Sequence, residues 1–349
     1  LLVGVLLGAL PGFHPNLVLE LPLSRETLFS LVLGSIFSSV IPAMLMVPTG
    51  EMAPVLLPGQ AAVKRGKMQE AINRFAGGAL LGAALFLVSY PIYRHVLLIK
   101  SYLPRLTLPF LVATSTASIL RSRNPRTALL LFLISGVYGC AILSGDTSNA
   151  VLGAHFSAMF GLSGLFLSSR LPEQEVSKPK PVLRFPAATV GFIGGLLISL
   201  FPAITPAQVY TVLLLLFGSG ARGLTAAGSL ASSSFLLSFQ SLIYLGKGRM
   251  AAVEKIRYFD LASLIPNSLL AYAFVLLLGG AIINLVNRIN HLKEIMIAAL
   301  TISIFLLYRQ ALPVALLSFV LGFLPGLLGT ERVHLMGSLI IPTMLWYLR

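Results

Sequence analysis

The chain has 349 residues, 56% of them hydrophobic and only 10% charged, with a mean hydropathy of +0.91 and a formal net charge of +14. That composition leaves too little polar surface to wrap a soluble domain of this length, so it points to an integral membrane protein. The positive charge falls in short clusters between apolar runs, "VKRGK" (63–67), "RSRNPR" (121–126), "KPKPVLR" (178–184) and "GKGR" (246–249); this is the pattern of topology-setting loops in contact with lipid headgroups and argues against nucleic acid as a partner.

The first apolar run, about 1–10, has no basic segment ahead of it and leads into a patterned stretch, so it reads as a membrane element, not a signal peptide. It breaks off in "GALPGFHPNLV" (8–18). Further apolar elements are expected at about 28–47, 75–93, 106–120, 127–143 and 149–168. Ser24 in "LSRETL" is a candidate helix cap. The polar stretch "SSRLPEQEVSKPKPVLRFP" (168–186) is unsuited to hydrocarbon. It divides the chain into a first transmembrane repeat at 1–170, a linker at 171–186 and a second repeat at 187–349. The second half yields elements at about 187–201, 206–218, 225–245, 258–287, 295–307, 311–328 and 333–348. None of these alternates with the period of two that a membrane barrel requires. The lone cysteine, Cys140, excludes an intrachain disulfide and a cysteine-built metal site.

The two halves resemble each other. "GALPGFHPN" (8–16) aligns with "ISLFPAITPAQ" (198–208), "KRGKMQEAINR" (64–74) with "GKGRMAAVEKIR" (246–257) and, more weakly, "HFSAMFGLSGLF" (155–166) with "HLMGSLIIPTML" (334–345). The expected fold is an all-α polytopic helical bundle of two repeats with paired broken or re-entrant helices; for a transporter the expected relation between the repeats is inversion.

Matched, proline-interrupted segments in two halves are the best sequence pointer to a midplane binding site. Thr205 reads as an N-cap, Pro206 as the first helical residue and Gln208 as the third residue of a capping box. Free N–H groups at two such helix starts would attract a carboxylate or phosphate. The candidate substrate-binding residues are therefore Gly12, His14, Asn16, Thr205 and Gln208, with a pair of packed proline kinks as the competing reading. A second interrupted stretch, "VPTGEMAPVLLPG" (47–59), holds Glu51, which aligns with Ser233 in "SLASSSFLLSFQ" (229–240). An intramembrane carboxylate suggests a proton or sodium site. Thr49, Glu51, Ser232, Ser233 and Ser234 are the candidates for it, against an interfacial ion pair of Glu51 with Lys64 or Arg65. Arg222 either anchors substrate or ends a helix among headgroups. Asp146 and Glu331 belong to loops or to a gate.

The five histidines show no metal-ligand spacing, and no P-loop or dinucleotide fingerprint is present. The expectation is a protein that is not an enzyme and that needs no metal or cofactor beyond Na+ or H+ as coupling ion.

"VGVLLGALPGFHPN" (3–16) followed by "MVPTGEMAPVLLPGQAAVKRGKMQEAINRFAGGALLG" (46–82) resembles the TctA family, the large permease subunit of tripartite tricarboxylate transporters, in its shorter archaeal-type branch. The likeness rests on Pro11-Gly12, Pro48 to Gly50, Lys64 to Lys67 with Ala71, and Gly77, Gly78 and Gly82. It departs at Thr49-Gly50-Glu51, where a Gly-Thr-Pro type sequence is usual, and at "LPG" (57–59). The resemblance implies a multi-pass permease of the cell membrane that moves organic anions by secondary transport, together with a small membrane subunit and an extracellular binding protein. A transporter of a polyprenyl-phosphate lipid carrier is the alternative, since its phosphate could use the same helix ends.

Overall fold

A computed structural model describes residues 1–10, 22–45, 58–144, 149–169, 171–176, 180–201, 204, 206, 209–210, 213, 221–289 and 291–348. They are nearly all helical. In the first half α1 (Leu2–Gly8) is followed by α2 (Arg25–Ser38), α3 (Val40–Leu45), α4 (Pro58–Lys64), α5 (Met68–Ser89), α6 (Leu103–Leu120), α7 (Pro125–Leu143), α8 (Asn149–Phe156) and α9 (Ser163–Phe166). The second half adds α10 (Phe185–Leu200), α11 (Ala221–Leu245), α12 (Ala251–Ile256), α13 (Leu261–Arg288), α14 (Leu292–Leu307), α15 (Leu312–Leu327) and α16 (Gly337–Leu348). Among the described residues, seven helical stretches are long and apolar enough to cross a membrane.

Local chemistry sets the boundaries. Ser24 caps α2 by accepting from the Thr27 N–H at 3.2 Å, as its sequence suggests. Helix α5 starts at Met68, well before the apolar run at 75, because Glu70 and Arg74 stand one turn apart and pair at 2.5 Å. Gly66, with φ +74°, makes the turn into it.

The described residues of the linker, 171–176 and 180–186, form a strap held to the bundle by hydrogen bonds. Gln174 donates to Val63 O at 3.0 Å and accepts from Met68 N at 3.2 Å, while its backbone exchanges two bonds with the Asn287 amide at 2.9 and 2.8 Å. Val182 N then donates to the Tyr272 hydroxyl at 3.1 Å. The strap thereby ties the starts of α5 and α10 to α13.

Helices α5, α10 and α11 form the core with almost no side chain between their backbones. A Cβ on Gly78 would land on the Thr225 carbonyl, one on Gly228 on that of Phe75, and one on Gly191 on that of Ala226. The same proximities give direction. Gly191, Gly194 and Gly195 meet Ala226, Leu230 and Ser233 in ascending order, so α10 and α11 run parallel. Helices α1 and α2 repeat this, with Gly4 on Leu31 and Gly8 on Ser35 and Ser38. The two pairs point in opposite directions. Phe29, early in α2, stacks on Phe235 late in α11 at 5.9 Å, whereas Met44 and Leu224, at the end of α3 and the start of α11, meet around Gly59.

A second bundle joins the halves crosswise: α7 packs on α16, and the α8–α9 region packs on α15. Gly139 abuts the Ser338 backbone, and Gly322 abuts Met159 and Ser163. Outward faces are apolar, as at Leu277, Leu306, Leu316 and Trp346, whereas Ser135, Ser163, Ser318 and Ser338 are buried. This is the distribution of a lipid-embedded bundle whose helices associate through small and hydrogen-bonding residues.

Replacing Gly78 by valine is expected to force α5 off α11 and lower stability by about 1–3 kcal/mol, as overpacking does. Gly280→Ala, whose Cβ would meet nothing nearer than 3.9 Å, is the control and should leave the detergent melting temperature unchanged or slightly raised.

Candidate functional site

Gly12, His14, Asn16, Thr49, Glu51, Thr205 and Gln208 lie outside the described residues. What the structure does show is the frame in which two of the interrupted stretches are set. Both ends of the 46–57 stretch, marked by Met44 and Gly59, lie beside the first turns of α11 at Leu224. The connection after α10 starts at the far end of that helix and comes back to the start of α11.

Helix α10 stops at Leu200. Phe201 turns extended, with φ −107° and ψ 128°, and its N–H makes the last helical bond to Leu197 O. The carbonyls freed there are taken by one side chain: Arg249 donates from Nε to Ser199 O at 3.0 Å and from Nη2 to Leu200 O at 2.8 Å. A cation at this end also meets the negative pole of the helix dipole. Its own backbone N–H donates to Ser238 Oγ at 2.6 Å, and Ser199 Oγ shares a hydrogen bond with the Tyr93 hydroxyl at 3.0 Å. Burial pulls the Arg249 pKa down from the ordinary arginine value, with Tyr93 and Tyr347 acting the other way.

Gln240 stands at the same level. It follows Ser233 by two turns on the face of α11 that packs on α10, and the register set by Gly191 and Gly195 carries it to where α10 ends. Its side chain is 1% exposed, and among the described residues neither the amide oxygen nor the amide nitrogen has a hydrogen-bond partner. A buried amide without partners costs roughly 1–3 kcal/mol on mutational scales. Such a group inside a membrane bundle calls for water or a ligand. In the sequence Gln240 is an isolated amide within an apolar span, and that was the signal available.

Ser232, Ser233 and Ser234 are all buried. Their hydroxyls donate to carbonyls of their own helix: Ser232 and Ser233 to Ser229 O at 3.3 and 2.6 Å, and Ser234 to Ala231 O at 3.0 Å. Ser232 Oγ fills the notch at Gly82 and Ser233 Oγ the one at Gly195, so these two sit in the seams of α11 with α5 and α10.

Near the first turns of α10 and α11 a cavity of about 640 Å³ is lined by Arg184, Tyr210 and Arg222 with apolar walls from Leu183, Phe185, Val190 and Leu213. In the second bundle, His155 is fully buried and bridges Ser318 Oγ at 2.8 Å and Ser338 Oγ at 2.9 Å; the Tyr138 hydroxyl extends the chain to Ser318 at 2.9 Å. Glu331 lies outside the long apolar spans and gathers donors from Ser122, from Thr330 at 3.2 Å and from His334 at 3.3 Å. Burial alone would raise its pKa, but the bonds from His334 and Ser122 and its own backbone hold it down to about 2. Arg332 beside it donates to Met159 O at 2.7 Å and to Ser163 Oγ; burial lowers its pKa to about 10. Among the described residues, no three His, Cys, Asp or Glu side chains gather as a metal site requires.

The seven apolar spans among the described residues, some of them part of the glycine-packed core, define a multi-pass helical membrane protein. The profile of the Tripartite tricarboxylate transporter TctA family matches residues 1–184, and the chain belongs to that family. It is accordingly a membrane permease component of the tripartite transporter type. An uncharacterized protein of Methanocaldococcus jannaschii is 25% identical to it over 100% of this chain and 97% of the relative. No solved structure matches.

Because the folded Glu331 pKa lies below the ordinary 4.5, its contribution to stability is present above that pH and is lost as pH falls toward 2. Acid titration of the purified protein should show this loss in the wild type, and Glu331→Gln should flatten it; equal acid sensitivity in both would remove Glu331 as the cause.

Proposed function

We propose that the protein is a secondary active permease for a small organic anion, a di- or tricarboxylate, working by alternating access and coupled to Na+ or H+. Membership in the TctA family supports the transport class. The observation that carries the site is the unpartnered amide of Gln240, held level with the end of α10 and with Arg249. An incoming carboxylate would accept from the Gln240 amide and from donors of Arg249 that the α10 carbonyls leave unused. Gly12, His14, Asn16, Thr205 and Gln208 are the further proposed substrate contacts. Thr49 and Glu51 with Ser232, Ser233 and Ser234 are proposed for the coupling ion, and a serine hydroxyl that donates to a carbonyl still offers its lone pairs to a cation.

The opposed directions of the α1–α2 and α10–α11 pairs, and the crosswise packing of α7 on α16 and of the α8–α9 region on α15, support a duplicated and inverted design. In such a design one repeat rocks against the other around a central site.

The first test is citrate and succinate binding to the purified protein, with and without sodium, read as thermal stabilisation. Gln240→Leu should raise the melting temperature of the free protein, since it removes an unsatisfied amide worth about 1–3 kcal/mol, while lowering carboxylate-dependent stabilisation at least tenfold in ligand concentration. A variant that is destabilised and binds normally would assign Gln240 to the scaffold. In proteoliposomes Glu51→Gln should lose gradient-driven uptake and keep equilibrium exchange; undiminished concentrative uptake would remove Glu51 from the coupling role. Asn16→Asp and Gln208→Glu should each weaken carboxylate binding by like-charge repulsion, as read in the same stabilisation assay.

A further inference from the structure

The cavity at the start of α10 and α11 is chemically lopsided. Its cationic groups are Arg184, which immediately precedes α10, and Arg222, in the first turn of α11. The parallel run of the two helices puts both residues at the same end of the helix pair, where both line the cavity. Arg222 makes no hydrogen bond or ion pair among the described residues, and Arg184 has only the distant pull of Glu70, whose carboxylate is already bonded to Arg74 at 2.9 and 2.5 Å. The remaining wall is largely apolar, formed by Leu183, Phe185, Pro186, Val190 and Leu213. Leu183 and Phe185 are 54% and 59% exposed, at the end of the bundle where the polar linker enters α10.

A tricarboxylate carries polar oxygens over its whole surface, so in this space most of them would face apolar walls at a desolvation cost. A single anionic group attached to an aliphatic chain satisfies both halves of the cavity: guanidinium forks match a phosphate, and the chain covers the apolar wall. The volume of about 640 Å³ also greatly exceeds what inorganic phosphate fills.

We propose that this cavity binds an anionic membrane phospholipid, with its phosphate between Arg184 and Arg222 and part of an acyl chain along Val190 and Leu213. The lipid would brace the first turns of α10 and α11 against each other. This site is separate from the carboxylate site at the other end of α10, and its test does not depend on transport.

The full chain, purified in a neutral detergent and stripped of lipid, is melted with phosphatidylglycerol, with phosphatidylcholine or with inorganic phosphate. Phosphatidylglycerol is expected to raise the midpoint by about 3–6 °C more than phosphatidylcholine at equal mole fraction, a shift typical of a ligand well above its Kd, and phosphate alone is expected to do nothing. The double variant Arg184→Gln/Arg222→Gln should abolish the difference between the two lipids. Val190→Phe, which keeps both arginines and fills the tail volume, should reduce it as well. Equal stabilisation by both lipids, a difference that survives the double variant, or an effect of phosphate as large as that of phosphatidylglycerol would each overturn the proposal, the last by showing a free-anion site.

Discussion

In hydrocarbon there is no hydrophobic gain from bringing two helices together, because lipid tails are as apolar as leucine; close packing must supply the attraction. The core of this protein meets that constraint by laying α11 directly on the backbones of α5 and α10. Gly78, Gly191 and Gly228 leave no room for a Cβ, and Ser232 and Ser233, the smallest hydroxyl side chains, fit into the remaining notches at Gly82 and Gly195. Because α10 and α11 run parallel, the chain between them has to return from the end of α10 to the start of α11. The break after Leu200 is therefore a topological necessity of this packing, and the polar groups collected there follow from it. The α1–α2 pair imposes the same requirement on residues 9–24.

The second bundle is held by a different device. Its seams also carry glycines, Gly139 and Gly322, but its centre is a hydrogen-bonded chain running from Tyr138 through Ser318 and His155 to Ser338. Serine hydroxyls donate or accept as needed, so both nitrogens of the His155 ring have a partner in either tautomer. That chain links α7, α8, α15 and α16, which come from both halves of the sequence. Met159 and Ser338, which the alignment of His155 with His334 pairs, each oppose a glycine of another helix, Gly322 and Gly139. The exchange of helices between halves means that neither half completes this bundle alone.

Much of this was legible in the sequence. Apolar run length located most of the spans, and the composition of 168–186 marked a stretch that lies outside them. TctA membership was also readable, from the proline-glycine turn, the basic segment and the glycines of α5. What composition hid was the use of individual polar residues. The early start of α5 escaped an apolar count because its first turns are stabilised by the Glu70–Arg74 pair. The serine run 232–234 looks like a set of oxygen ligands in one dimension; in three, two of its members are the small residues that let α11 approach its neighbours. The role of Arg249 as the cap of α10 depends on a contact across 50 residues, which no local pattern encodes. Gln240 was visible only as an anomaly, since its meaning requires the register of two helices.

Arg249 and Gln240 together give the end of α10 its character. One is a half-buried cation spent partly on two carbonyls; the other is a buried amide without a partner among the described residues. Had the break been only a packing kink, the carbonyls freed at Ser199 and Leu200 needed the first residue and not the second, and a leucine at 240 would have packed on α10 more cheaply. Gln240 lies on the side of α11 that faces the broken helix, two turns beyond Ser233 in the closed serine–glycine seam. A site that must admit and release a polar solute needs donors that are desolvated and preorganised yet not already engaged. Among the described residues of the core, Gln240 leaves both of its amide atoms without a hydrogen-bond partner, and natural proteins keep such costly groups chiefly where function asks for them.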